Sequence, residues 1–283
     1  MAQKIIFMGT PEFSVPSLDY LVKSGHKILA VYSQPAKKSH RGQKVNLSAV
    51  ESFARKNSLN VRTPSTLNTE EEFNFIKNLK PDIVIVVAYG KIIPKRFLTL
   101  SKHGYINVHA SLLPKWRGAA PIQRSIMNLD EETGISIMKI NEELDAGPVM
   151  KQIKTKIYDN TNAEMLSKIL SNLGAKTLID SIKKIQNGNA NFIEQNNSKA
   201  TFAKKIKKEE SKIKWNENAE NILGKINGLN PNPGAWFEHE GQRYKVLAAK
   251  IIDQKGKPGL VLDDKLTIGC KEKSLQITEI KKE

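Results

Sequence analysis

The strongest apolar run in the chain is residues 82–88, Asp-Ile-Val-Ile-Val-Val-Ala. It is rich in β-branched residues and does not alternate, which is the pattern of a strand buried on both faces of a parallel sheet. Lys4–Met8 and Lys27–Tyr32 predict two further strands, and Tyr105–Val108 and Ile135–Ile140 two more. Between them, Ser17–Lys23 and Asn46–Asn57 carry helical spacing, the latter through Leu47, Val50, Phe53 and Ala54. Strands alternating with helices predict an open, mostly parallel α/β sheet. Thr161–Gln186 reads as one long helix through Met165, Leu166, Ile169, Leu173, Leu178, Ile182 and Ile185. Thr161 and Glu164 have the spacing of a capping box, and Gly188 is placed to stop the helix.

The pattern then changes. Residues 199–214 are polar and lysine-rich, which predicts a boundary zone. Asn218–Leu229 is helical in spacing, and Asn230–Gly234 is a proline-rich turn. Short runs follow at Ala235–Phe237, Tyr244–Ile252, Gly259–Leu262, Leu266–Gly269 and Leu275–Ile280, predicting a small antiparallel sheet or barrel. The expected domains are therefore 1–200, a basic linker over 201–214, and 215–283.

Composition bounds this picture. At 283 residues with 39% hydrophobic content, the chain is long enough for two domains and apolar enough for a core. Its single cysteine, Cys270, cannot form an internal disulfide, which fits a reducing compartment. Lys4 is followed by a short apolar run broken by Gly9 and Pro11, unlike a signal peptide. No apolar stretch approaches the roughly 20 residues that span a bilayer. A cytoplasmic protein without membrane contact is expected. The net charge of +16 attracts polyanions, although lysine-rich composition alone produces the same sign.

Candidate chemistry is sparse. Gly9-Thr-Pro-Glu-Phe13 follows the first strand, where such sheets bind ligands, but it holds one of the three glycines of a dinucleotide fingerprint. That argues against a nicotinamide or flavin enzyme. Asn107 and His109 are two apart, so in a strand both side chains emerge on one side while Val108 turns into the core. An amide donor beside an imidazole can stabilise an oxyanion and move a proton. Asp145 falls in a loop after a later strand and can reach the same sheet edge. A lone Asn-x-His is common, and spacing alone makes it more often structural than catalytic.

A resemblance narrows the choice. Phe7-Met-Gly-Thr-Pro-Glu-Phe13, Val86-Val-Ala-Tyr-Gly90, Ile106-Asn-Val-His-Ala-Ser-Leu-Leu-Pro-Lys-Trp-Arg-Gly-Ala-Ala-Pro-Ile-Gln-Arg124 and Leu144-Asp-Ala-Gly147 occur in order. Together they resemble the methionyl-tRNA formyltransferases, a family of folate-dependent enzymes, over nearly the whole chain. The resemblance implies a Rossmann-like sheet followed by a small OB-like barrel. It implies 10-formyltetrahydrofolate as donor, the amino group of initiator methionyl-tRNA as acceptor, and no metal. Asn107, His109 and Asp145 would be catalytic. Tyr89, Gly90, Ile92, Ser111, Leu112, Leu113 and Pro114 would surround the folate, partly through their main chain.

The family engages the tRNA acceptor end with a loop in the position of residues 34–45, here basic through Lys37, Lys38, Arg41 and Lys44. The start of this loop departs from the family's usual Asp-Arg-Pro. Lys204, Lys205, Lys207 and Lys208 would add phosphate contacts. A monomer with no obligate protein partner is expected. The chain stops at Glu283, short of the C-terminal residues these proteins usually carry, so the last barrel strands are expected to be short. The competing readings are a formyltransferase acting on an amino sugar nucleotide, a formyltetrahydrofolate hydrolase, and a non-catalytic nucleic-acid-binding module.

Overall fold

The structure, a computed structural model, describes residues 2–39 and 44–283, with backbone alone at 37–39 and 44–45. β1 (Lys4–Gly9) leads into α1 (Val15–Lys23), with Pro16 in the first turn where its missing N–H leaves no bond unmade. β2 (Lys27–Tyr32) follows, then a short antiparallel ladder of β3 (Lys37–Ser39) and β4 (Lys44–Asn46). α2 (Ala49–Lys56) begins later than its spacing predicts, because Asn46 belongs to β4 and Ser48 caps the helix by accepting the Glu51 N–H at 2.9 Å. β5 (Val61–Arg62) and α3 (Glu70–Leu79) are additions to the pattern reading. In α3, three acidic residues fill the first turn and Thr69 caps it, which suits the positive end of the helix.

The central strands are β6 (Ile83–Val87) and β7 (Tyr105–His109). Next come β8 (Arg117–Gly118), α4 (Pro121–Met127), β9 (Glu132–Lys139), β10 (Val149–Lys156) and α5 (Ala163–Gln186). β11 (Phe202–Ala203), α6 (Ala219–Leu229), β12 (Ala235–His239), β13 (Gln242–Ile252), β14 (Thr267–Gly269) and β15 (Ser274–Lys282) complete the chain. The α5 start corrects the predicted cap. Thr161 is buried and its hydroxyl closes a turn onto the Tyr158 N–H, so Asn162 caps instead, accepting the Met165 N–H at 2.9 Å.

Two compact units result. The first comprises Met1–Arg117, Gly134–Lys154 and Lys168–Thr201. Its seven-stranded sheet has the order β10-β9-β7-β6-β1-β2-β5. β5, β2, β1, β6 and β7 run parallel, and β9 joins β7 antiparallel. From β1 the chain builds outward to β2 and β5, then returns to add β6 and β7 on the other flank. The strand order therefore reverses beside β1, and the carboxyl ends of β1, β6 and β7 open a crevice there. Ile5, Ile6, Phe7 and Met8 of β1 are fully buried, and all five residues of β6 are buried, as burial on both faces demands.

The second unit comprises Gly118–Thr133, Thr155–Ser167 and Phe202–Glu283. The compact units thus do not follow chain order. α4 belongs with α6, where two glycines allow close approach: a Cβ on Gly228 would lie 2.7 Å from Met127 Cγ, and one on Gly224 2.8 Å from Leu129 Cδ2. A four-stranded antiparallel sheet of order β12-β13-β15-β14, bent by register shifts between Val246 and Ala249, packs its buried face on α6. Residues 202–214 are folded into this unit: Ile213 is in its core while Lys204, Lys205, Lys207 and Lys208 are exposed. Gly259–Leu262 is not a strand. Gly259 takes a left-handed φ of 80°, Leu260 and Val261 are about half exposed, and a single bridge joins Val261 to Ile268. No helix among the described residues is long and apolar enough to cross a membrane.

In the first unit, α5 covers the face of β7 to which Val108 points. Gly174 allows the contact, since a Cβ there would lie 2.8 Å from Val108 Cγ1. Gly174→Val would add a stiff branched side chain in this space. We expect it to lower unfolding stability by about 1–3 kcal/mol, read as a lower denaturant midpoint at unchanged m-value.

Candidate active site

β7 alternates as its composition dictates. Ile106 and Val108 are buried in the core, while Asn107 and His109 share the opposite side. His109 sits at the carboxyl end of β7, paired across to Ser136 of β9. The loop after β9 then brings Asp145 back to this edge. Its carboxylate divides between the two β7 side chains: Oδ1 accepts from Asn107 Nδ2 at 3.4 Å, and Oδ2 lies 3.7 Å from His109 Nδ1. The second distance is too long for a hydrogen bond, so the pair is poised rather than closed. Catalytic contacts of this kind often tighten only around a bound substrate.

His109 is itself buried, at 6% exposure. Its Nε2 lies 2.9 Å from the Trp116 carbonyl oxygen. A carbonyl can only accept, so Nε2 carries a hydrogen and donates it. That leaves Nδ1 as the position where a proton can arrive or depart, and Nδ1 is the atom that faces Asp145. Both backbone points that hold the imidazole are left-handed: Trp116 at φ 64° and Asp145 at φ 49°. Non-glycine residues in this region cost of order 1 kcal/mol or more and persist where surrounding contacts dictate them.

Those contacts are visible. Ser111 Oγ donates to the Lys115 carbonyl at 2.5 Å, and the Ser111 carbonyl accepts from Ser136 Oγ at 2.7 Å. Ser136 Oγ also accepts from the Leu113 N–H and from Gln152 Nε2, which donates onward to the Leu113 carbonyl. The 111–118 loop is therefore braced from below by β9 and β10. On the other side, Gln195 Nε2 donates to the carbonyls of Asp145 and Gly147 at 2.8 and 2.7 Å. The buried Arg117 guanidinium holds Gln195 Oε1 through two bonds.

The loop after β6 forms the adjoining wall. Ala88 and Gly90 both have positive φ, at 45° and 75°. The Tyr89 carbonyl accepts from Thr10 Oγ1 at 2.8 Å and Gln34 Nε2 at 3.0 Å, which ties together the loops after β1, β2 and β6. Thr10 thus gives the Gly-Thr-Pro-Glu-Phe segment a structural purpose. A Cβ on Gly90 would strike Gln34 Nε2 at 2.3 Å. Of the residues expected around a folate, Tyr89 has its ring in the core with burial raising its phenol well above the usual range, and Ser111 is fully buried as a brace. Leu113 is buried, Leu112 and Pro114 are half-buried, Gly90 is exposed, and Ile92 is 90% exposed at the loop tip. Their side chains thus divide between the core and solvent.

Among the residues expected to hold tRNA, Arg41 lies outside the described residues. Lys37, Lys38 and Lys44 are placed only as backbone in the β3–β4 ladder. Spacing gave no role to Arg117, Gln152 or Gln195, because each acts on residues far away in sequence. Trp116 likewise contributes a carbonyl, which its side-chain type does not signal.

A parallel sheet with an Asn, His and Asp gathered at its carboxyl edge, followed by an antiparallel module, has the layout of a group-transfer enzyme acting on a carbonyl carbon. The family described as Formyl transferase matches residues 3–182, and Formyl transferase, C-terminal domain, matches residues 205–283. The methionyl-tRNA formyltransferase of Pelagibacter ubique is 53% identical over 285 residues, covering 100% of this chain and 92% of that protein. That of Paramagnetospirillum magneticum is 40% identical over 280 residues, covering 99% and 92%. The chain belongs to the methionyl-tRNA formyltransferase family. Two solved structures share the fold. The N-formyltransferase of Helicobacter canadensis superposes with TM-score 0.75 at 20% identity over 100% of both chains. HypX of Aquifex aeolicus in complex with tetrahydrofolic acid does so with TM-score 0.70 at 16% identity, over 100% of this chain and 44% of that one.

Gly147 offers a direct check of the loop geometry. A Cβ there would lie 2.0 Å from the Lys139 carbonyl oxygen, so Gly147→Ala must displace the segment that carries Asp145. A shift of about 1 Å in such a group costs roughly 10²-fold in rate. We expect that loss in single-turnover formyl transfer, with the circular dichroism spectrum unchanged.

Proposed function

We infer that this chain transfers the formyl group of 10-formyltetrahydrofolate to the α-amino group of methionine on initiator tRNA, the first step that commits the charged tRNA to translation initiation. The observation that carries the chemistry is the Asp145 carboxylate lying between Asn107 and His109. The relatives named above supply the acceptor, because the resemblance to them covers the second unit as well as the first.

In the reaction, the amine nitrogen attacks the formyl carbon and the carbonyl oxygen becomes an oxyanion. The Asn107 amide has two N–H groups. One points to Asp145, and the other is available to the developing oxyanion. The proton lost by the amine passes through His109 Nδ1, where Asp145 stabilises it, and ends on the folate nitrogen as the carbon–nitrogen bond to folate breaks. The Nε2–H donation to Trp116 keeps the ring oriented throughout. The 88–92 main chain and Leu112–Pro114 line the folate side of the crevice. A folate ligand at this side agrees with the two structural neighbours, of which the H. canadensis enzyme holds folinic acid and the A. aeolicus protein tetrahydrofolic acid.

The tRNA would be held by charge. The net +16, the basic 37–44 segment and the exposed Lys204, Lys205, Lys207 and Lys208 provide phosphate contacts that position without reading sequence. The enzyme would act as a monomer in the cytoplasm, without a metal. An aminoacyl-tRNA acceptor separates this reading from a sugar-nucleotide formyltransferase that shares the fold.

Losing one oxyanion donor costs about 10²–10³ in rate. Asn107→Ala is therefore expected to lower formylation of charged initiator tRNA by that factor, and His109→Ala, which removes the proton relay, by about 10²–10⁴, while tetrahydrofolate still binds. Near-normal turnover in both would remove the assignment, as would faster formylation of a sugar-nucleotide amine by the wild-type protein. Binding of initiator tRNA is expected to weaken steeply with salt, about one phosphate contact's worth per lysine engaged. A flat salt dependence in filter-binding titrations would show that charge does not hold the tRNA.

A further inference from the structure

His109 is held from two sides by segments that are distant in sequence. Trp116 O fixes Nε2 from the 111–118 loop, and Asp145 faces Nδ1 from the 141–147 loop. One side chain joins these two segments. Gln195 Nε2 donates both of its hydrogens, to Asp145 O at 2.8 Å and Gly147 O at 2.7 Å. Gln195 Oε1 accepts from Arg117 Nε at 3.0 Å and Nη2 at 2.8 Å, and Arg117 is the residue next to Trp116. Arg117 Nη2 is further held by Asn197 Oδ1 at 2.7 Å, and the side chain is 4% exposed. The amide orientation follows from its partners. Two carbonyls require the NH₂ end and a guanidinium requires the oxygen, so the reverse placement would break all four bonds.

We propose that Gln195, anchored by Arg117, is a positioning residue for the formyl transfer: it sets the distance of the Asp145 carboxylate from His109 by clamping the carbonyls on either side of Ala146. The proposal rests on the catalytic roles given above to Asp145 and His109. Its physical basis is the left-handed backbone at Asp145, φ 49°, a conformation that residues with side chains rarely adopt. The two donated bonds hold that conformation at the carbonyl of Asp145 itself. Free of them, the loop can relax toward an ordinary conformation, and the carboxylate moves away from a gap that is already 3.7 Å. The clamp acts through the position of the Asp145 carboxylate beside His109, so its effect falls on the chemical step.

The test is a double-mutant cycle read in single-turnover formylation. Gln195→Met removes every polar contact at similar volume. Gln195→Glu keeps the acceptor for Arg117 but turns an oxygen toward the two carbonyls, so it removes the clamp while retaining the anchor. Each is expected to lower kcat about 10²-fold, with KM for both substrates within about twofold of wild type. In an Asp145→Asn background, which is already slow, the same two changes are expected to cost less than about threefold, because the group they position no longer acts. A general packing defect would instead lower kcat by the same factor in both backgrounds, and that result overturns the proposal. Full kcat in Gln195→Glu overturns it as well, and this variant decides alone if Gln195→Met fails to fold. Near wild-type turnover in Asp145→Asn by itself would overturn the role of Asp145, a failure distinguishable from an inert Gln195 beside an essential Asp145.

Discussion

One carboxylate facing two side chains is the arrangement on which the first unit depends. Asp145 presents one oxygen to Asn107 and the other to His109, and it does so from a backbone conformation that a non-glycine residue does not choose freely. A charge held at such distances acts only if its position is defined to a fraction of an ångström. The surrounding structure is organised around that requirement. The parallel strands supply a rigid edge, β9 sets the register opposite His109, and the braces from Ser136 and Gln152 keep the loop that carries Trp116 in place.

The energetics explain why the edge is rigid. β1 and β6 are buried on both faces, and each fully buried aliphatic side chain contributes roughly 1.5–3 kcal/mol. Strands so placed do not slide, because a one-residue slip in β7 would exchange Val108 with its polar neighbours and put two polar groups into the core. The packing of α5 over Val108, made possible by Gly174, closes the alternative. Burial on one face of β7 thus determines the direction of Asn107 and His109 on the other.

The second unit follows different physics. Its core is one helix under a bent antiparallel sheet, and Lys204, Lys205, Lys207 and Lys208 are exposed. Charge of this kind acts at a distance and tolerates imprecise placement, since screened attraction falls off over about 10 Å. Precise geometry near the sheet edge and diffuse charge elsewhere are what a small reaction on a large polyanionic substrate requires.

Local pattern was enough to determine much of this. The β-branched run at 82–88 dictated a buried strand, the period of two aligned Asn107 with His109, and the short runs after residue 234 announced an antiparallel module. Each of these depends on neighbours a few residues apart, whose spacing the linear order preserves. Other features had no such signature. The long-helix cap moved from Thr161 to Asn162 because Thr161 was needed in a buried turn, and Gly259–Leu262 keeps one bridge to Ile268 because its backbone turns left-handed at Gly259. Gln195 is a polar residue in an irregular stretch, 50 positions beyond Asp145, and Arg117 is 78 positions before Gln195. The sequence by itself determined which strand carries Asn107 and His109 and which way they point. Only the tertiary structure decided how far the Asp145 carboxylate stands from them, because that distance depends on hydrogen bonds closed across the fold, between groups that linear order keeps apart.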